Sequence, residues 1–464
     1  MRYVSTRGQA PALDFEAVLL AGLASDGGLY VPESWPTLPP VAWRALAGKP
    51  FEAVMQAVLT PFASGFPAER LDRLIADSYA GFAHRQVAPL RQLGPSLWLL
   101  ELFHGPTLAF KDVALQLLGR LFDDVLTRRG QRATVIGATS GDTGSAAIEA
   151  LKGRAGIDVV ILYPDGRVSE VQRRQMTTVP DATVHAIAID GTFDDGQALV
   201  KAMFADEPFR ARTNLSAVNS INWARIAAQV SYYAAAAVAL GAPDRAVRFV
   251  VPTGNFGNVY AGYVASRLGL PVDRLLVATN VNDILARFLA SGSYRAGPVS
   301  ATISPSMDIQ VSSNFERLLF ELLGRDGAGV MRAMQSFQQS GSFEVSMPAL
   351  AKARRLFTGA RVDEAGTLAA IAAAWHDCGI LLDPHTAVGY AAAKQLPADA
   401  TPTVLLATAH PAKFPDAVER ATGIRPALPP RLANLAQRPE RLHRLPNDIA
   451  KVEAFVSRHQ ANRE

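Results

Sequence analysis

A lysine stands in an unusual context in the stretch FHGPTLAFKD, which covers residues 103–112. Lys111 follows a Gly-Pro turn signal and mostly apolar residues, where an ammonium group is costly to bury. Burial lowers the pKa of a lysine and makes its neutral amine available as a nucleophile or a base. The sequence leaves two interpretations open: Lys111 is a reactive amine, or it begins a solvated helix on the surface.

A glycine-rich loop, TGNFGN at residues 253–258, follows a β-rich segment and precedes a helical one. Its two glycines allow successive backbone N–H groups to turn toward one point, and the helix that follows adds its positive end. The loop therefore predicts a phosphate site, although a glycine-rich turn without a ligand is the alternative. It lacks both the GxGxxG pattern and the Lys-Ser/Thr of a P-loop, which disfavours a dinucleotide or ATP.

Two more loops carry polar side chains where a helix begins. In TSGDTG, residues 139–144, hydroxyls and exposed amides could receive a carboxylate or a phosphate, or could only cap the next helix. In NSINWAR, residues 219–225, Asn219 and Ser220 occupy cap positions, and Arg225 lies one turn into the helix. A helix N-terminus and an arginine that converge predict a second anion site. The alternative is an arginine that solvates the helix surface.

These features together indicate one cofactor. Lys111 supplies an amine, the glycine-rich loop supplies a phosphate site, and Arg225 supplies a further site for an anionic substrate. A lysine that condenses with a phosphorylated aldehyde is the signature of pyridoxal phosphate.

Strands alternate with helices from about residue 96 onward, which predicts parallel sheets with helical crossovers. The residues before that point read instead as helices broken by proline and glycine. We therefore predict a mainly helical N-terminal domain at 1–95, an α/β lobe with Lys111 and the TSGDTG loop at 96–245, and an α/β lobe with the GNFGN loop and C-terminal helices at 246–464. Ligands of such sheets bind at the carboxyl ends of the strands.

The composition excludes several classes of function. Hydrophobic residues make up 49% of the 464 residues and charged residues 19%, which is typical of a globular protein. The net charge of +4 is too small to indicate a nucleic-acid partner, and no apolar stretch is long enough to span a bilayer. Cys378 is the single cysteine, so no internal disulfide and no metal site is expected. Together with an N-terminus that has no apolar leader segment, this predicts a reducing cytoplasm.

Five motifs resemble the threonine synthase family: HGPTLAFKD, ATSGDTG, NSINWAR, PTGNFGN and LATAHPAKF, in an order that also matches. The segments YVSTRG and GLASDGGLYVPE are similar to the bacterial and fungal branch of that family, which carries an N-terminal cap domain. The resemblance covers nearly the whole chain. It implies an α/β architecture, the tryptophan-synthase-β-like pyridoxal-phosphate fold of type II, with two parallel-sheet lobes and an N-terminal mainly helical domain.

The resemblance also implies roles for individual positions. Lys111 matches the lysine that forms the Schiff base with the cofactor. Asp142 matches the side chain that faces the cofactor's 3′-oxygen, with which a shared proton is expected. Thr408 matches the group that meets the pyridine nitrogen. The cofactor-phosphate loop is matched by Gly254, Asn255, Phe256, Gly257 and Asn258. The substrate-binding positions are matched by Thr139, Ser140 and Thr143 on the carboxylate side and by Asn219, Ser220, Arg225 and Asn258 around the phosphate.

The activity that the resemblance implies is the conversion of O-phospho-L-homoserine and water to L-threonine and phosphate, by γ-elimination and β-hydration. Lys111 is the expected catalytic residue, and Lys413 is its rival as the cofactor lysine. The alternative function is a pyridoxal-phosphate lyase of the threonine/serine dehydratase type; a silent binding protein and a nucleotide-binding protein are more distant alternatives. Relatives include monomers and homodimers, so either state is expected. His104, His385 and His410 lie in or near the motif loops without an assigned role.

Overall fold

The computed structural model describes residues 1–217, 221–397 and 399–461. Its strands are β1 (Tyr3–Ser5), β2 (Tyr30–Pro32), β3 (Leu90–Gln92), β4 (Leu97–Glu101), β5 (Ala133–Ala138), β6 (Ile157–Pro164), β7 (Val184–Asp190), β8 (Leu215–Ser216), β9 (Val247–Pro252), β10 (Val272–Thr279), β11 (Ser293–Arg295), β12 (Ser342–Glu344), β13 (Phe357–Arg361), β14 (Thr403–Ala407) and β15 (His443–Pro446). Its α-helices are α1 (Phe15–Ala21), α2 (Pro40–Ala45), α3 (Phe51–Leu59), α4 (Ala68–Tyr79), α5 (Lys111–Arg129), α6 (Asp142–Leu151), α7 (Glu170–Thr177), α8 (Phe193–Ala205), α9 (Glu207–Thr213), α10 (Trp223–Ala239), α11 (Gly257–Arg267), α12 (Ile284–Ser291), α13 (Phe315–Leu322), α14 (Gly327–Ser340), α15 (Met347–Arg354), α16 (Glu364–Cys378), α17 (Pro384–Ala393), α18 (Pro415–Thr422) and α19 (Ile449–Ala461).

The N-terminal segment is mainly helical, as predicted. α1, α3 and α4 form where apolar residues recur at helical spacing. Asp14 caps α1 because its carboxylate accepts from the N–H of Ala17 at 2.8 Å. The strands β1 and β2 pair antiparallel in the same segment. Strands of three residues are too short to show an alternating pattern, so the sequence did not reveal them.

The first sheet contains five parallel strands in the order β15–β7–β6–β5–β8. Every residue of β6 is buried, as expected for a central strand of a parallel sheet that is covered on both faces. One of these faces packs against α8, α9 and α19. Ile187, Phe209 and Val456 belong to the hydrophobic cluster that forms there.

The second sheet contains six strands in the order β13–β10–β9–β14–β4–β3. All of its neighbours are parallel except β3, which pairs antiparallel with β4 at the edge. A short turn joins β3 to β4, and only antiparallel strands can be joined so closely. A separate hydrophobic cluster, which includes Ile371, Val388 and Leu405, joins this sheet to α16 and α17. The two predicted parallel sheets are therefore present, one of them with an antiparallel edge.

Two pairs of neighbouring strands are formed by residues from opposite sides of the predicted boundary between residues 245 and 246. β4 pairs with β14, with Leu97 opposite Thr403, and β15 pairs with β7, with His443 opposite Ile187. Parallel strands are connected by long crossovers, so the order along the chain does not determine which sheet a strand joins. The division into segments 1–95, 96–245 and 246–464 stays a prediction, but the first sheet takes β15 from the last segment, and the second sheet takes β3 and β4 from the first two.

The largest hydrophobic core joins the N-terminal segment to both sheets. It contains Tyr3 and Phe62 from the N-terminal segment, Val159 from the first sheet and Phe249 from the second. Trp223, at the start of α10, packs against the N-terminal segment: its ring lies 5.8 Å from that of Tyr3 and 5.5 Å from that of Phe62. Among the described helices, none combines the length and the apolar composition that crossing a membrane requires.

Candidate active site

Loops from both sheets surround a cavity of about 90 Å³ that contains Lys111. The loops that follow β5, β9 and β14 contribute Asp142, Gly254 and Thr408, so the site lies at the carboxyl ends of the strands as predicted. The cavity is lined by Phe110, Lys111, Asp142, Thr143, Arg225, Gln229, Pro252, Thr253, Gly254, Asn255, Phe256, Gly257, Asn258, Ser306, Met307, His385 and Thr408.

Lys111 is the first residue of α5 and is only 8% exposed, so the alternative of a solvated surface helix is wrong. Burial lowers its pKa, and the positive charges of Arg225 and Lys413 act in the same direction. Asp142 opposes them, since its Oδ2 lies 3.4 Å from Lys111 Nζ. A lysine in these surroundings gives up its proton more readily than one in water.

Asp142 begins α6 directly after Gly141, whose φ of 128° lets the chain turn sharply from β5 into the helix. Its Oδ1 lies 2.7 Å from Lys413 Nζ and accepts from Gln172 Nε2 at 2.9 Å. Burial acts to raise the pKa of Asp142, but the charges of Lys413 and Lys111 outweigh it and hold the pKa well below its usual range. The proton shared with the cofactor's 3′-oxygen stays a prediction; within the chain, Asp142 contacts the amines of both Lys413 and Lys111.

Lys413 is fully buried and lies behind Asp142, outside the lining of the cavity. It ends a short 3₁₀ turn, Pro411–Lys413, after β14. Its Nζ donates to the carbonyl oxygen of Thr107 at 2.8 Å in addition to its contact with Asp142. The sequence presented Lys413 as a rival of Lys111, but the structure makes it a partner of Asp142.

The predicted phosphate loop connects β9 to α11. A Cβ added at Gly254 would lie 2.8 Å from the carbonyl oxygen of Ser306, so glycine is required by the close approach of that backbone. Phe256 adopts a φ of 64° and its ring packs between Phe315 and Phe357, at 5.6 and 5.7 Å, which fixes the strained residue in place. The first N–H groups of α11 have no carbonyl partner within the helix and are available to an anion.

Arg225 is 2% exposed, and its Nε and Nη1 have no hydrogen-bond partner among the described residues. Burial lowers its pKa to about 10, against the opposing influence of Tyr232. Asn258 lines the same cavity; its Oδ1 accepts from Tyr232 Oη at 2.6 Å, which leaves its Nδ2 without a partner in the described part of the chain. Unpaired buried donors are costly, and an anionic group in the cavity would satisfy both side chains.

His385 lines the cavity, but both of its ring nitrogens are engaged. Nδ1 donates to Asp383 Oδ1 at 2.8 Å, and Nε2 accepts from the N–H of Ser306 at 3.1 Å. His385 therefore connects α17 to the loop containing Ser306.

Thr408 also lines the cavity. Its backbone fixes its position, since its carbonyl oxygen accepts from the N–H of Phe110 at 2.9 Å.

His104 and His410 lie outside the cavity around Lys111. His104 Nε2 contacts Glu101 Oε2 at 2.8 Å, and burial lowers the pKa of His410 to about 4, with a further contribution from His104. His410 lines a second cavity, of about 380 Å³, which contains none of the predicted site residues.

Several predicted site residues are not brought to the cavity. Thr139 is buried, and its Oγ1 accepts from the N–H groups of Gly141 and Gly144, both at 2.9 Å, so it orders the loop instead of lining the site. Ser140 does not line the cavity either. Asn219 and Ser220 lie outside the described residues. The cap of α10 is Asn222, whose Oδ1 accepts from the N–H of Ala224 at 3.0 Å.

The sequence did not reveal three polar residues of the candidate active site. Gln172 contacts Asp142 from α7, Gln229 lines the cavity one turn after Arg225, and Ser306 lines it from the segment after β11. The spacing of Arg225 and Gln229 on one helix face was the one available signal. Gln172 also completes the capping box at the start of α7.

Three family models match consecutive parts of the chain. Residues 2–79 match the model described as threonine synthase N terminus. Residues 84–336 match the one described as pyridoxal-phosphate dependent enzyme. Residues 386–456 match the one described as threonine synthase, C-terminal.

Individual proteins are similar over the same extent. Threonine synthase of Pseudomonas aeruginosa is 55% identical over 462 residues, which cover 99% of this chain and 98% of that protein. The crystal structure of PLP-bound threonine synthase from Brucella melitensis is 55% identical, with 99% of each chain covered and a TM-score of 0.96. The crystal structure of yeast threonine synthase is 40% identical, with 99% of each chain covered and a TM-score of 0.93.

Proposed function

The chain belongs to the threonine synthase family of pyridoxal-phosphate enzymes, and from this premise we propose that it converts O-phospho-L-homoserine and water into L-threonine and phosphate. The reaction is a γ-elimination of phosphate followed by hydration at Cβ. The observation that carries the proposal is the buried Arg225 guanidinium, which lines the cavity of Lys111 and has donors with no partner among the described residues. A substrate with a phosphate leaving group needs such a site in addition to the cofactor's own.

The residues present fit pyridoxal phosphate. Gly254 and the N-terminus of α11 form a cradle that a side chain would fill, and the unpaired Asn258 Nδ2 lies at its end. Lys111 is the amine to which the cofactor would attach, and Asp142 and Thr408 line the same cavity. When bound, the cofactor supplies an electron sink that stabilises negative charge on the substrate carbon.

Lys111 is the group that moves protons in this proposal. Its lowered pKa favours a neutral Nζ, which can take the proton from Cα of the substrate and pass it to the departing phosphate. The amine, neutral again, can then take a proton from Cβ and deliver it to Cγ, while water supplies the hydroxyl to Cβ and its remaining proton returns to Cα. Arg225 and Asn258 hold the departing phosphate, because they offer unpaired N–H groups in a site that excludes most water. Thr143 lines the cavity near Asp142 and is our candidate for the substrate carboxylate, with Ser140 as a further proposed contact. Asn219 and Ser220, which lie outside the described residues, remain proposed contacts of the substrate phosphate.

The test compares two substrates with the purified holoprotein. With O-phospho-L-homoserine we expect L-threonine and phosphate in equal amounts, and with L-threonine or L-serine we expect no keto acid. Keto acid from L-threonine, without phosphate release from O-phospho-L-homoserine, would instead establish the dehydratase-type alternative.

We propose further that the enzyme acts in a reducing cytoplasm, either as a monomer or as a homodimer. The support for a reducing compartment is its single cysteine, Cys378, which is half-buried and free, with its Sγ 3.7 Å from the carbonyl oxygen of Leu93. Size-exclusion chromatography with light scattering distinguishes the two oligomeric states.

A further inference from the structure

Three histidines from distant parts of the chain meet at one edge of the first sheet. His185 lies on β7, His443 on β15 and His459 on α19. Each offers one ring nitrogen, and these three atoms all lie within 4.8 Å of one another. None of the three lines the cavity around Lys111, so this cluster, which we call the histidine triad, is separate from the candidate active site.

The sheet register explains why these side chains converge. His443 on β15 is opposite Ile187 on β7, and side chains two residues apart on a strand point to the same face. His185 and His443 therefore share the face that Ile187 occupies. α19 covers that face through Val452 and Val456, which belong to the same hydrophobic cluster as Ile187.

The third imidazole is already oriented for binding. His459 Nδ1 donates to the carbonyl oxygen of Phe455 at 2.8 Å, so its Nε2 is left as an acceptor. A metal-bound histidine is commonly fixed in this way by a hydrogen bond from its other nitrogen. The Phe455 ring lies 4.0 Å from that of His459 and 4.6 Å from that of His443, which gives the triad an apolar wall.

We propose that the histidine triad binds one divalent transition-metal ion of the Zn²⁺ type. Three neutral imidazoles are ligands that Zn²⁺ prefers, and the absence of a carboxylate from the triad disfavours Mg²⁺ and Ca²⁺. Tetrahedral coordination places ligand nitrogens about 3.3 Å apart, given Zn–N bonds of about 2.0 Å. Rotation of His443, which is only half-buried, toward the other two nitrogens closes the difference.

The partial exposure of His443 and His459 leaves the fourth position to water. Arg441 lies close enough to influence His443, but its side chain is exposed and its charge is screened. The ion joins β15 and α19 to β7, across more than half the length of the chain. Its role is structural, because it stabilises the packing of β15 and α19 against the first sheet.

The test uses the full-length holoprotein, stripped of metal by a chelator, and Zn²⁺ as the probe. We expect one Zn²⁺ per chain by equilibrium dialysis, with a dissociation constant of about 1 µM or lower. His443→Gln and His459→Gln should each weaken binding by about 100-fold. Both positions are half-buried, so the variants should fold, and circular dichroism checks this. Addition of Zn²⁺ should raise the Tm of the unmodified chain and of neither variant.

His376→Gln is the matched control, since His376 is 89% exposed and lies outside the triad. It should bind Zn²⁺ and gain thermal stability as the unmodified chain does. Co²⁺ in place of Zn²⁺ should give the intense visible bands of a tetrahedral site, and these should disappear in His459→Gln. Less than one ion per chain at saturation, or equal affinity in all four proteins, would overturn the proposal.

Discussion

At the scale of single residues, the site concentrates buried basic groups. Lys111, Arg225 and Lys413 are each at most 8% exposed, and Asp142 is the carboxylate that contacts the two lysines. Buried charges without partners are strongly unfavourable. Two phosphate groups, one from the cofactor and one from the substrate, would supply the missing negative charge. The charge of the site therefore supports a phosphorylated substrate more directly than any single motif does.

Replacing Arg225 tests the assignment of the substrate phosphate. Arg225→Ala removes a charged hydrogen bond worth about 1.5–3 kcal/mol, so kcat/KM for O-phospho-L-homoserine should fall by about 10- to 150-fold. The cofactor absorption spectrum should not change. Arg225→Lys, which keeps the charge but not the fork of donors, should recover part of the loss. Loss of bound cofactor from Arg225→Ala would mean that Arg225 holds the cofactor phosphate instead.

Replacing Lys413 tests whether it keeps Asp142 ionised. Lys413→Met leaves buried Asp142 with the hydrogen bond from Gln172 and the longer ionic contact to Lys111, and breaking such a pair costs about 3–5 kcal/mol of the free energy of unfolding. A depressed carboxyl pKa contributes stability that is complete above the unfolded pKa, about 4, and is lost as pH falls through the folded pKa. In the variant the pKa of Asp142 rises, so acid unfolding should begin at higher pH.

Urea unfolding between pH 4 and pH 8 measures both effects. Lys152→Met is the control, because Lys152 pairs with Glu149 on the surface and its loss should change the free energy of unfolding by at most about 1 kcal/mol. If Lys413→Met is as stable as the control at every pH, the proposed electrostatic role of Lys413 is wrong.

At the scale of elements, the loop between β9 and α11 depends on the close approach of Gly254 to the segment containing Ser306. Gly254→Ala places a Cβ 2.8 Å from a backbone oxygen that cannot move aside as a side chain could. Relieving that contact costs about 1–3 kcal/mol, and we expect the affinity for pyridoxal phosphate to fall by a corresponding factor of about 5 to 150. Cofactor titration followed by fluorescence or absorption measures it.

Gly81→Ala is the matched control for that loop, because a Cβ at Gly81 meets no atom within 4 Å. Its cofactor affinity should equal that of the unmodified chain. Equal affinity in Gly254→Ala would show that the loop does not form the cofactor-phosphate site.

Elements with a local signal were predictable. The residues SEVQ at 169–172 are a local signal of a helix start, and Ser169 and Gln172 form a reciprocal capping box at the start of α7. β5, β6 and β7 formed where β-rich runs alternate with helices. β8, β11 and β12 were missed because strands of two or three residues show no pattern.

The site was predictable only in part, because some of its residues carry a local sequence signal and others depend on contacts between distant segments. Lys111, Arg225 and Gly254 each carried a local signal, such as a turn, a helix start or a pair of glycines. The contact of Lys413 with Asp142 depends on how the turn after β14 meets α6, which no local pattern encodes. The cap of α10 was also missed. Asn222 is a residue type that suits a cap, but Asn219 and Ser220, three and two residues earlier, suit one equally well.

At the scale of the whole molecule, the N-terminal segment is docked by buried polar contacts as well as by the shared core. Arg7 and Thr6 both contact Glu316 on α13, at 3.0 and 2.6 Å. Arg317 Nε donates to the carbonyl oxygen of Tyr30 at 3.0 Å. α3 also packs directly against α10, the helix that carries Arg225. The N-terminal segment therefore supports the site without lining it.

This packing predicts that the N-terminal helices and α10 unfold together. Hydrogen exchange in increasing urea should show α3 and α10 losing protection in one transition, because the two helices pack directly against each other in one hydrophobic core. Glu316→Gln should lower the midpoint of that transition without splitting it. An earlier, separate loss of protection in α3 would show that the N-terminal segment is an independent unit.

The central claim is that the buried amine of Lys111 carries the cofactor, and one measurement tests it most directly. The purified holoprotein is reduced with borohydride and digested, and the modified peptide is identified by mass spectrometry. The structure predicts a pyridoxyl group on Lys111. A label on Lys413, or no labelled lysine in a protein that still releases phosphate, would contradict the account.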